Sequence, residues 1–314
     1  MNGPWMWTGF IILILFLLSL DLLVFHRKAH EIRFKEAMWL SVFWIALALL
    51  FNLGLYFYEG PKLAMEFLAG YLIEKSLSVD NLFVFIVIFS YYRVEPKYQH
   101  TILFWGIIGA LVMRAVFILT GVALIQKFAW TTYVFGAFLV YTGIKMAFSG
   151  DAEVDPSKNP IIKLARKLFP VSDDHDGGKF FLHRDGRWFA TPLFIVLLIV
   201  ETTDVVFAVD SIPAILAIST DPFIVFSSNV FAILGLRALY FALAGVMGMF
   251  HYLKYGLSIV LAFVGVKMII SHHYKLPISV ALGVVVGVLG LSVLASVMFP
   301  KKEEGVEPAA LPKK

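Results

Sequence analysis

Cysteine is absent from this chain of 314 residues. Its absence excludes disulfide bonds, thiolate metal sites and cysteine-based catalysis. Charge is also scarce, because 15% of the residues are charged while 60% are hydrophobic, a share well above that of soluble proteins. The sequence contains neither a phosphate-binding loop nor a Gly-rich dinucleotide motif that follows a strand. Together these features predict a membrane protein that does not use ATP directly.

Long apolar runs are plentiful, and each is long enough to cross a bilayer. No Lys or Arg precedes the first run, so we interpret it as a retained span and not as a secretory signal. The predicted fold is therefore an all-α membrane protein with about nine transmembrane helices. The runs lie near residues 5–25, 37–58, 64–91, 100–124, 129–148, 191–217, 223–247, 255–271 and 277–299.

The loops between these runs differ strongly in their content of Lys and Arg. One side of the membrane carries three such residues and the other carries eighteen. Basic loops stay in the cytoplasm, so we expect the N-terminus outside and the C-terminus in the cytoplasm. The net charge is +4, and because the basic residues cluster in loops on one side of the membrane, we expect no nucleic-acid partner.

Three landmarks occur twice in the same order, which predicts an internal repeat. Spans 3 and 6 carry acid pairs, spans 4 and 7 carry Arg114 and Arg237, and spans 5 and 8 end in matching segments that begin at Gly143 and Gly265. Each unit has three spans, so the second unit must be inverted relative to the first. Inverted repeats with a binding site at the membrane midplane are a transporter architecture.

The repeat divides the chain into six predicted regions. The loop between the two repeats should hold an interfacial helix over Ile161–Phe169, a solvated acidic turn at 173–178, and a hairpin over Phe180–Ala190. The ninth span carries Gly283-x-x-x-Gly287, a weak signal for close helix contact. The regions are 1–63 (two peripheral spans), 64–148 (first repeat), 149–190 (cytoplasmic loop), 191–271 (second repeat), 272–300 (ninth span) and 301–314 (cytoplasmic tail).

Acidic residues at membrane depth are the strongest functional signal in the sequence. The two patterns run from Glu74 to Asp80 and from Asp204 to Asp210, and Glu201 adds a fifth acid. Ionisable groups inside a membrane are costly and usually mark an ion or substrate path. The matched patterns predict one cation site built twice.

The spacing within each acid pair leaves two arrangements open. Six helical residues span about 600° and roughly 9 Å, so the two acids point about 120° apart. Either the acids serve different subsites or the helix is locally unwound. Pro213 favours a break in span 6, because its missing amide frees the carbonyl of Val209 beside Asp210.

The charge balance of the spans favours a divalent cation or bound protons. Five acids face three positive side chains, those of Lys75, Arg114 and Arg237, which leaves two carboxylates uncompensated. Lys145 and Lys267, near span ends, are expected to reach outward. In the competing interpretation, the acids and arginines pair only to hold the helices together.

The candidate ligand atoms are all oxygens, since every histidine lies in or beside a loop. Oxygen-only sites favour Mg²⁺, Ca²⁺ or Mn²⁺ over Zn²⁺, Cu⁺ or Ni²⁺. Besides the carboxylates, the available groups are backbone carbonyls, the Asn81 amide, and the hydroxyls of Ser76, Ser78, Thr202, Thr203 and Ser211.

The segments E-K-S-L-S-V-D-N and E-T-T-D-V-V-F-A-V-D-S-I-P-A resemble the two signature segments of the TerC family. The nearer likeness is to its Alx-type members, within the LysE transporter superfamily, and it implies a location in a bacterial inner membrane. This resemblance implies manganese export and metal homeostasis. Val209, Arg114, Arg237 and Ser78 are expected to support the site. Carried over by position, the metal ligands would be Glu74, Asp80, Asn81, Glu201, Asp204, Asp210 and Ser211.

We therefore expect a secondary transporter that exports Mn²⁺ from the cytoplasm in exchange for protons. The metal would be the transported substrate, with no resident cofactor and no enzyme activity. The alternative is a membrane-embedded scaffold, an assembly factor or a metal-dependent membrane enzyme without transport activity.

Overall fold

The chain folds into a bundle of long apolar helices. The computed structural model describes residues 3–23, 34–128, 130–148, 178–184, 187–244, 252–271, 274 and 276–299. The helices are α1 Pro4–Leu23, α2 Phe34–Tyr58, α3 Pro61–Tyr91, α4 Pro96–Lys127, α5 Thr131–Phe148, α6 Pro192–Leu216, α7 Pro222–Leu234, α8 Leu236–Ala244, α9 Leu253–Ile270 and α10 Ile278–Met298.

Helices occupy the positions of all the predicted apolar runs, which confirms a helical membrane protein. Within the described residues, six helical segments are long and apolar enough to cross a bilayer: α2, α4, α6, the stretch Pro222–Leu243, α9 and α10. The 31-residue α3 is long enough, but it carries Glu66, Glu74, Lys75 and Asp80. The number of nine spans therefore remains a prediction.

Span 7 differs from its predicted form, because it is divided into α7 and α8 at Gly235. A Cβ atom at Gly235 would lie 2.8 Å from Nζ of Lys75 and 3.0 Å from Cβ of Trp44. Lys75 also donates a hydrogen bond to the carbonyl of Ala232, at 3.2 Å. Carbonyls in the last turn of a helix lack intrahelical donors, so the lysine stabilises the end of α7.

The centre of the bundle consists of α3, α4, α6 and α7, which pack against one another. The first two helices lie outside this group. They contact α7 through an aromatic cluster in which Phe10 lies 5.2 Å from Phe223 and Phe51 lies 4.7 Å from Phe231, between ring centroids. Many apolar side chains of α1, α2 and α10 face outward, as lipid contact requires.

Helices α5 and α9 approach closely because small residues line their contact. A Cβ atom at Gly265 would lie 2.6 Å from the carbonyl oxygen of Gly136, and one at Gly143 would lie 2.7 Å from the carbonyl oxygen of Ser258. Such backbone contact is characteristic of helix pairs in membranes.

The ninth predicted span, α10, packs without its glycine motif. A Cβ atom at Gly283 or Gly287 would meet nothing within 4 Å among the described residues. The buried side of α10 consists of Ala281, Val285 and Leu289. The sequence signal for close contact at these glycines was therefore wrong.

Two short strands precede α6. Strand β1, Phe181–Arg184, pairs antiparallel with β2, Arg187–Ala190, and Arg184 lies opposite Arg187. This hairpin lies where the sequence predicts one. The expected interfacial helix at Ile161–Phe169 and the acidic turn at 173–178 lie outside the described residues.

We predict that Gly265→Ala destabilises the bundle while Gly283→Ala does not. The first substitution forces α5 and α9 apart, which should cost about 1–3 kcal/mol. The second adds helix propensity of at most about 1 kcal/mol in open space. Thermal unfolding of the purified protein in detergent, followed by size-exclusion chromatography, measures both. Equal melting temperatures for the two variants would contradict the close contact.

Candidate functional site: a buried arginine between carboxylates

A buried arginine in α4 joins the two acid-bearing helices. Arg114 is 2% exposed and forms an ion pair through Nη1 with Glu74 of α3. It forms a second ion pair with Asp204 of α6, in which Nη2 lies 3.3 Å from Oδ1 and Nε lies 3.5 Å from Oδ2. One guanidinium group therefore bridges carboxylates from both halves of the chain.

Neutral polar side chains complete this network. Nη1 of Arg114 donates to Oδ1 of Asn229 at 3.2 Å and to Oγ of Ser211 at 3.4 Å. The Asn229 amide donates in turn to Oε2 of Glu74 at 3.1 Å. Ser78 donates to Oε1 of the same carboxylate at 3.3 Å. Both oxygens of Glu74 thus accept hydrogen bonds in the interior of the protein.

These contacts explain how such charges can be buried at all. Glu74 is completely buried and Asp204 is 5% exposed. An isolated carboxylate in this position would be strongly unfavourable, so it must be paired or neutralised. Two carboxylates share one guanidinium group, which leaves the network of Glu74, Asp204 and Arg114 with one negative charge.

Glu201 lies one turn before Asp204 and is half-buried. Its carboxylate lies against Gly109 of α4, so that a Cβ atom at position 109 would overlap the carboxylate oxygens. The glycine therefore leaves the space that the acid occupies. A third acidic side chain is brought to the α4–α6 contact, near the bridging arginine.

Two hydroxyls named as candidate ligands serve their own helix. Thr202 donates to the carbonyl of Leu198 at 2.5 Å, and Thr203 donates to the carbonyl of Ile199 at 2.7 Å. Such bonds to the preceding turn are common for threonine in helices. They hold the hydroxyl groups close to the backbone of α6.

The other predicted ligands lie on the same helices. Asn81 of α3 is buried, and Ser211 of α6 is 1% exposed. The backbone of Asp80 and of Asp210 is helical, and their side chains lie outside the described part of the structure. The predicted metal site at these residues therefore remains a prediction.

The expected break at Pro213 is absent, because α6 continues through this residue to Leu216. The proline lies in the last turn, so its missing amide leaves the carbonyl of Val209 without its intrahelical donor, but the helical backbone is kept. Of the two arrangements that the spacing allows, the regular helices favour separate subsites for the acids of each pair.

Arg237 has a different environment from Arg114. It is buried in the first turn of α8, and its Nη1 lies 3.0 Å from Nε2 of His100 near the start of α4. Lys267, which was expected to reach outward, instead donates to the carbonyl of Ala217 at 3.1 Å. The last turn of α6 supplies this acceptor and holds the lysine inside the bundle.

Sequence reasoning missed Asn229. The signal was available, because Ser227, Ser228 and Asn229 form three consecutive polar residues in an apolar span and all three are buried. Among the described residues, no group of three or more His, Cys, Asp or Glu side chains is arranged to hold a metal ion. The site in this form is an ion-pair network that contains its own cation.

The comparisons with known proteins identify the family. A profile of the integral membrane protein TerC family matches residues 59–304. The chain belongs to this family. The match includes both acid-bearing helices and the bridging arginine, so the network described above lies inside the shared region.

Several curated TerC-like relatives match over nearly their whole length. The "Uncharacterized membrane protein STKORF319" of Myxococcus xanthus is 52% identical over 95% of this chain and 93% of its own. The "Putative membrane-bound redox modulator Alx" of Escherichia coli K12 is 48% identical over 91% and 92%. An "Uncharacterized membrane protein" of Rickettsia bellii is 41% identical over 93% and 97%. No solved structure matches the chain.

We predict that Arg114→Met destabilises the protein by about 3–5 kcal/mol, because it leaves two buried carboxylates without a counter-charge. Combining it with Glu74→Gln and Asp204→Asn should recover most of this loss. Melting temperatures in detergent provide the measurement. An unchanged melting temperature in the single variant would show that the carboxylates do not depend on the arginine.

Proposed function

We propose that this TerC-family protein is a secondary transporter that exports the divalent metal cation Mn²⁺ in exchange for protons. The observation that carries the proposal is the bridge from Arg114 to Glu74 and Asp204. It places acids from two separate segments around one positive charge in the centre of the bundle. A transported cation would compete with the guanidinium group for the same oxygens.

Reciprocal contacts support an inverted repeat formed by spans 3–5 and 6–8. Gly136 contacts Gly265, and Gly143 contacts the backbone of Ser258. Gly143 and Gly265 begin the matching segments. Gly136 lies seven residues before Gly143, and Ser258 lies seven residues before Gly265. If each residue of α5 is replaced by its equivalent in α9 and the reverse, the contact between Gly136 and Gly265 becomes the contact between Ser258 and Gly143. Two antiparallel helices related by a two-fold axis have this property.

A second reciprocal pair supports the same relation in the centre of the bundle. Gly70 of α3 lies against Ser228 of α7, and Gly106 of α4 lies against Val200 of α6. The two acid pairs are separated in sequence by the same number of residues as Gly70 and Val200. The two matching glycine segments are separated by the same number as Gly106 and Ser228, so these residues occupy equivalent positions in the two repeats. The acid-bearing helices would then be equivalent elements of the two repeats, with the site between them.

Energy coupling follows from the direction of transport. Export of a divalent cation against a potential of about 100 mV requires roughly 4.6 kcal/mol for the electrical part alone. The sequence has no ATP-binding motif, so we infer coupling to entering protons. The same carboxylates could bind those protons after the metal leaves, because an uncompensated buried acid favours its neutral form.

The arginine bridge suggests how the empty site is stabilised. While no metal is bound, Arg114 neutralises Glu74 and Asp204 and prevents their repulsion from opening the bundle. A divalent cation needs more oxygens than these two side chains offer. The predicted ligands Asp80 and Asp210, one turn or more further along the same two helices, would provide the carboxylates of a neighbouring subsite.

The chemistry of the ligands favours Mn²⁺ among transition metals. The described polar groups of the network are carboxylate, amide and hydroxyl oxygens, and the chain has no thiolate. Mg²⁺ is the main competitor, but it loses water reluctantly and demands a tight octahedral shell. A site that strips water from the ion should therefore favour Mn²⁺.

Functions other than transport would use the same residues differently. A scaffold, assembly factor or metal-dependent membrane enzyme would need the ion pairs but would not move metal across the membrane. The name of the Escherichia coli relative refers to redox modulation. A thiol–disulfide mechanism within this chain is excluded, since it contains no cysteine.

We expect Asp80→Asn and Asp210→Asn to abolish Mn²⁺ transport while the protein remains in the membrane. Each substitution keeps the size of the side chain but removes a charge that a hard cation needs. The measurement is Mn²⁺ flux in vesicles containing the purified protein, driven by acidifying the side opposite the metal. Glu95→Gln, at an exposed carboxylate that pairs with Lys97, is the matched control.

In cells, deletion should raise manganese content and sensitivity to added Mn²⁺, with tolerance of Zn²⁺, Cu²⁺ and Ni²⁺ unchanged. Absence of flux under every proton gradient, together with normal cellular manganese, would rule out the exporter and favour the scaffold.

We also expect the loop 150–190 and the C-terminus to be cytoplasmic. Because the chain lacks cysteine, single cysteines introduced at Lys62, Lys158 and Lys313 give unambiguous labels. In intact cells an impermeant thiol reagent should label position 62 and leave positions 158 and 313 unlabelled. Labelling of position 158 from outside would reverse the orientation and the inferred direction of transport.

A further inference from the structure

An open cavity of about 380 Å³ lies at one end of the bundle, away from the buried arginine. It is formed by the start of α3, the end of α6 and the turn that leads into α7. Glu66, Ser219, Thr220 and Asp221 are among the residues that line it. The predicted orientation assigns this end of the bundle to the outer face of the membrane.

Glu66 is the most deeply placed acid of this cavity. Its side chain is 12% exposed, and its Oε2 accepts a hydrogen bond of 2.6 Å from Ser219. Asp221, the other acid in the lining, accepts hydrogen bonds from the backbone amides of Phe223 and Ile224 as the cap of α7. The Glu66 carboxylate therefore bonds to a side chain, whereas the Asp221 carboxylate bonds to backbone amides.

A polar stripe on α3 connects Glu66 with the buried network. Glu66, Gly70, Glu74 and Ser78 follow one another at intervals of four residues, so they lie along one side of the helix. Glu66 and Glu74 are separated by roughly 12 Å along the axis. Gly70, between them, allows Ser228 of α7 to approach closely, since a Cβ atom there would lie 2.8 Å from its Oγ.

Polar groups from α7 and the turn before it face this stripe. Ser219 donates to Glu66, Ser228 lies against Gly70, and Asn229 donates to Glu74. The three facing groups occur in the same order as their partners on α3. Three polar side chains thus face α3 at successive positions between the cavity and the arginine bridge.

We propose that Glu66 is a second cation-binding carboxylate, which receives the divalent metal between the buried network and the cavity. This inference rests on the proposed transport function and extends it to a specific exit residue. The oxygens of Glu66 and Ser219 would hold the ion where it regains water. The bridging arginine would then be free to return to Glu74 and Asp204.

The neighbouring lysines do not remove this attraction for cations. Lys62 lies 3.9 Å from Glu66, but its side chain is 80% exposed, so solvent screens the pair. Lys267 interacts electrostatically with Glu66 and donates to the carbonyl of Ala217. The hydrogen bond of the Lys267 ammonium group goes to this carbonyl, so a cation at Glu66 would compete with the charge of Lys267 alone.

The test uses a thiol as a reporter that does not require transport. Thr220→Cys introduces the only cysteine, at an exposed position of the cavity. We expect a positively charged methanethiosulfonate to react faster than a negatively charged one, and Mn²⁺ to slow the positive reagent. Glu66→Gln in the same background should slow the positive reagent by on the order of fivefold, the effect of one unit charge at about 4 Å in water, and should abolish protection by Mn²⁺.

Controls separate the carboxylate from general effects. Glu59→Gln changes an acid that does not line the cavity and should leave both effects intact, whereas Glu66→Asp should restore protection. Absence of Mn²⁺ protection in the Thr220→Cys protein, or its persistence in Glu66→Gln, would overturn the proposal.

The outcome is distinguishable from that of the exporter hypothesis. Protection that depends on Glu66 in a protein without Mn²⁺ flux would keep the site and reject export. Mn²⁺ flux with an unchanged KM in Glu66→Gln would support the exporter hypothesis but rule out a role of Glu66 in metal exit. A severalfold higher KM in Glu66→Gln, with Glu59→Gln unchanged, is the result we expect.

Discussion

The bridge from Arg114 to two buried carboxylates is the interaction on which the centre of this protein depends. Carboxylates at membrane depth are tolerated only when they are paired, hydrogen-bonded or protonated. One guanidinium group meets this requirement for Glu74 and Asp204 together. It therefore fixes the relative positions of α3, α4 and α6, and Asn229 adds α7 to the same network.

Close packing of small residues provides the complementary constraint. The apolar surfaces of membrane helices gain little by leaving lipid, so association depends on van der Waals contact and hydrogen bonds. Van der Waals contact holds α5 to α9, through backbone atoms at Gly136 and Gly265. Hydrogen bonds and ion pairs hold the central helices together. A rigid helix pair beside a polar core is a suitable frame for a site whose charges must rearrange.

The sequence predicted local features well because they depend on local patterns. Long apolar runs locate the helices, and turn residues between alternating segments locate the hairpin. Pairing between distant helices has no such local signal. The acids and Arg114 were recognisable one by one, but which acid the arginine binds depends on packing.

The errors have specific physical causes. Pro213 was expected to break α6, yet it lies too near the helix end to interrupt it. The break in span 7 occurs at Gly235, where Trp44 and Lys75 fill the space that a side chain would need. Lys267 was expected in the lipid headgroups because it lies near the end of a span. A nearby helix end supplied a carbonyl instead.

A transport site of the proposed kind must sometimes be empty, and its buried carboxylates then need either protons or an internal cation. Without metal, carboxylates from opposing helices repel one another, and the low dielectric of the interior strengthens that repulsion. A protein can respond by protonating the acids or by providing a tethered positive charge. Arg114 does the second for Glu74 and Asp204, and it cannot lose its proton at ordinary pH. In the proposed transport cycle, a metal ion that bound these acids would displace the guanidinium group, whereas protons alone would weaken its ion pairs. This difference gives metal and protons distinct effects on the same helices, which is the condition that an exchange mechanism needs.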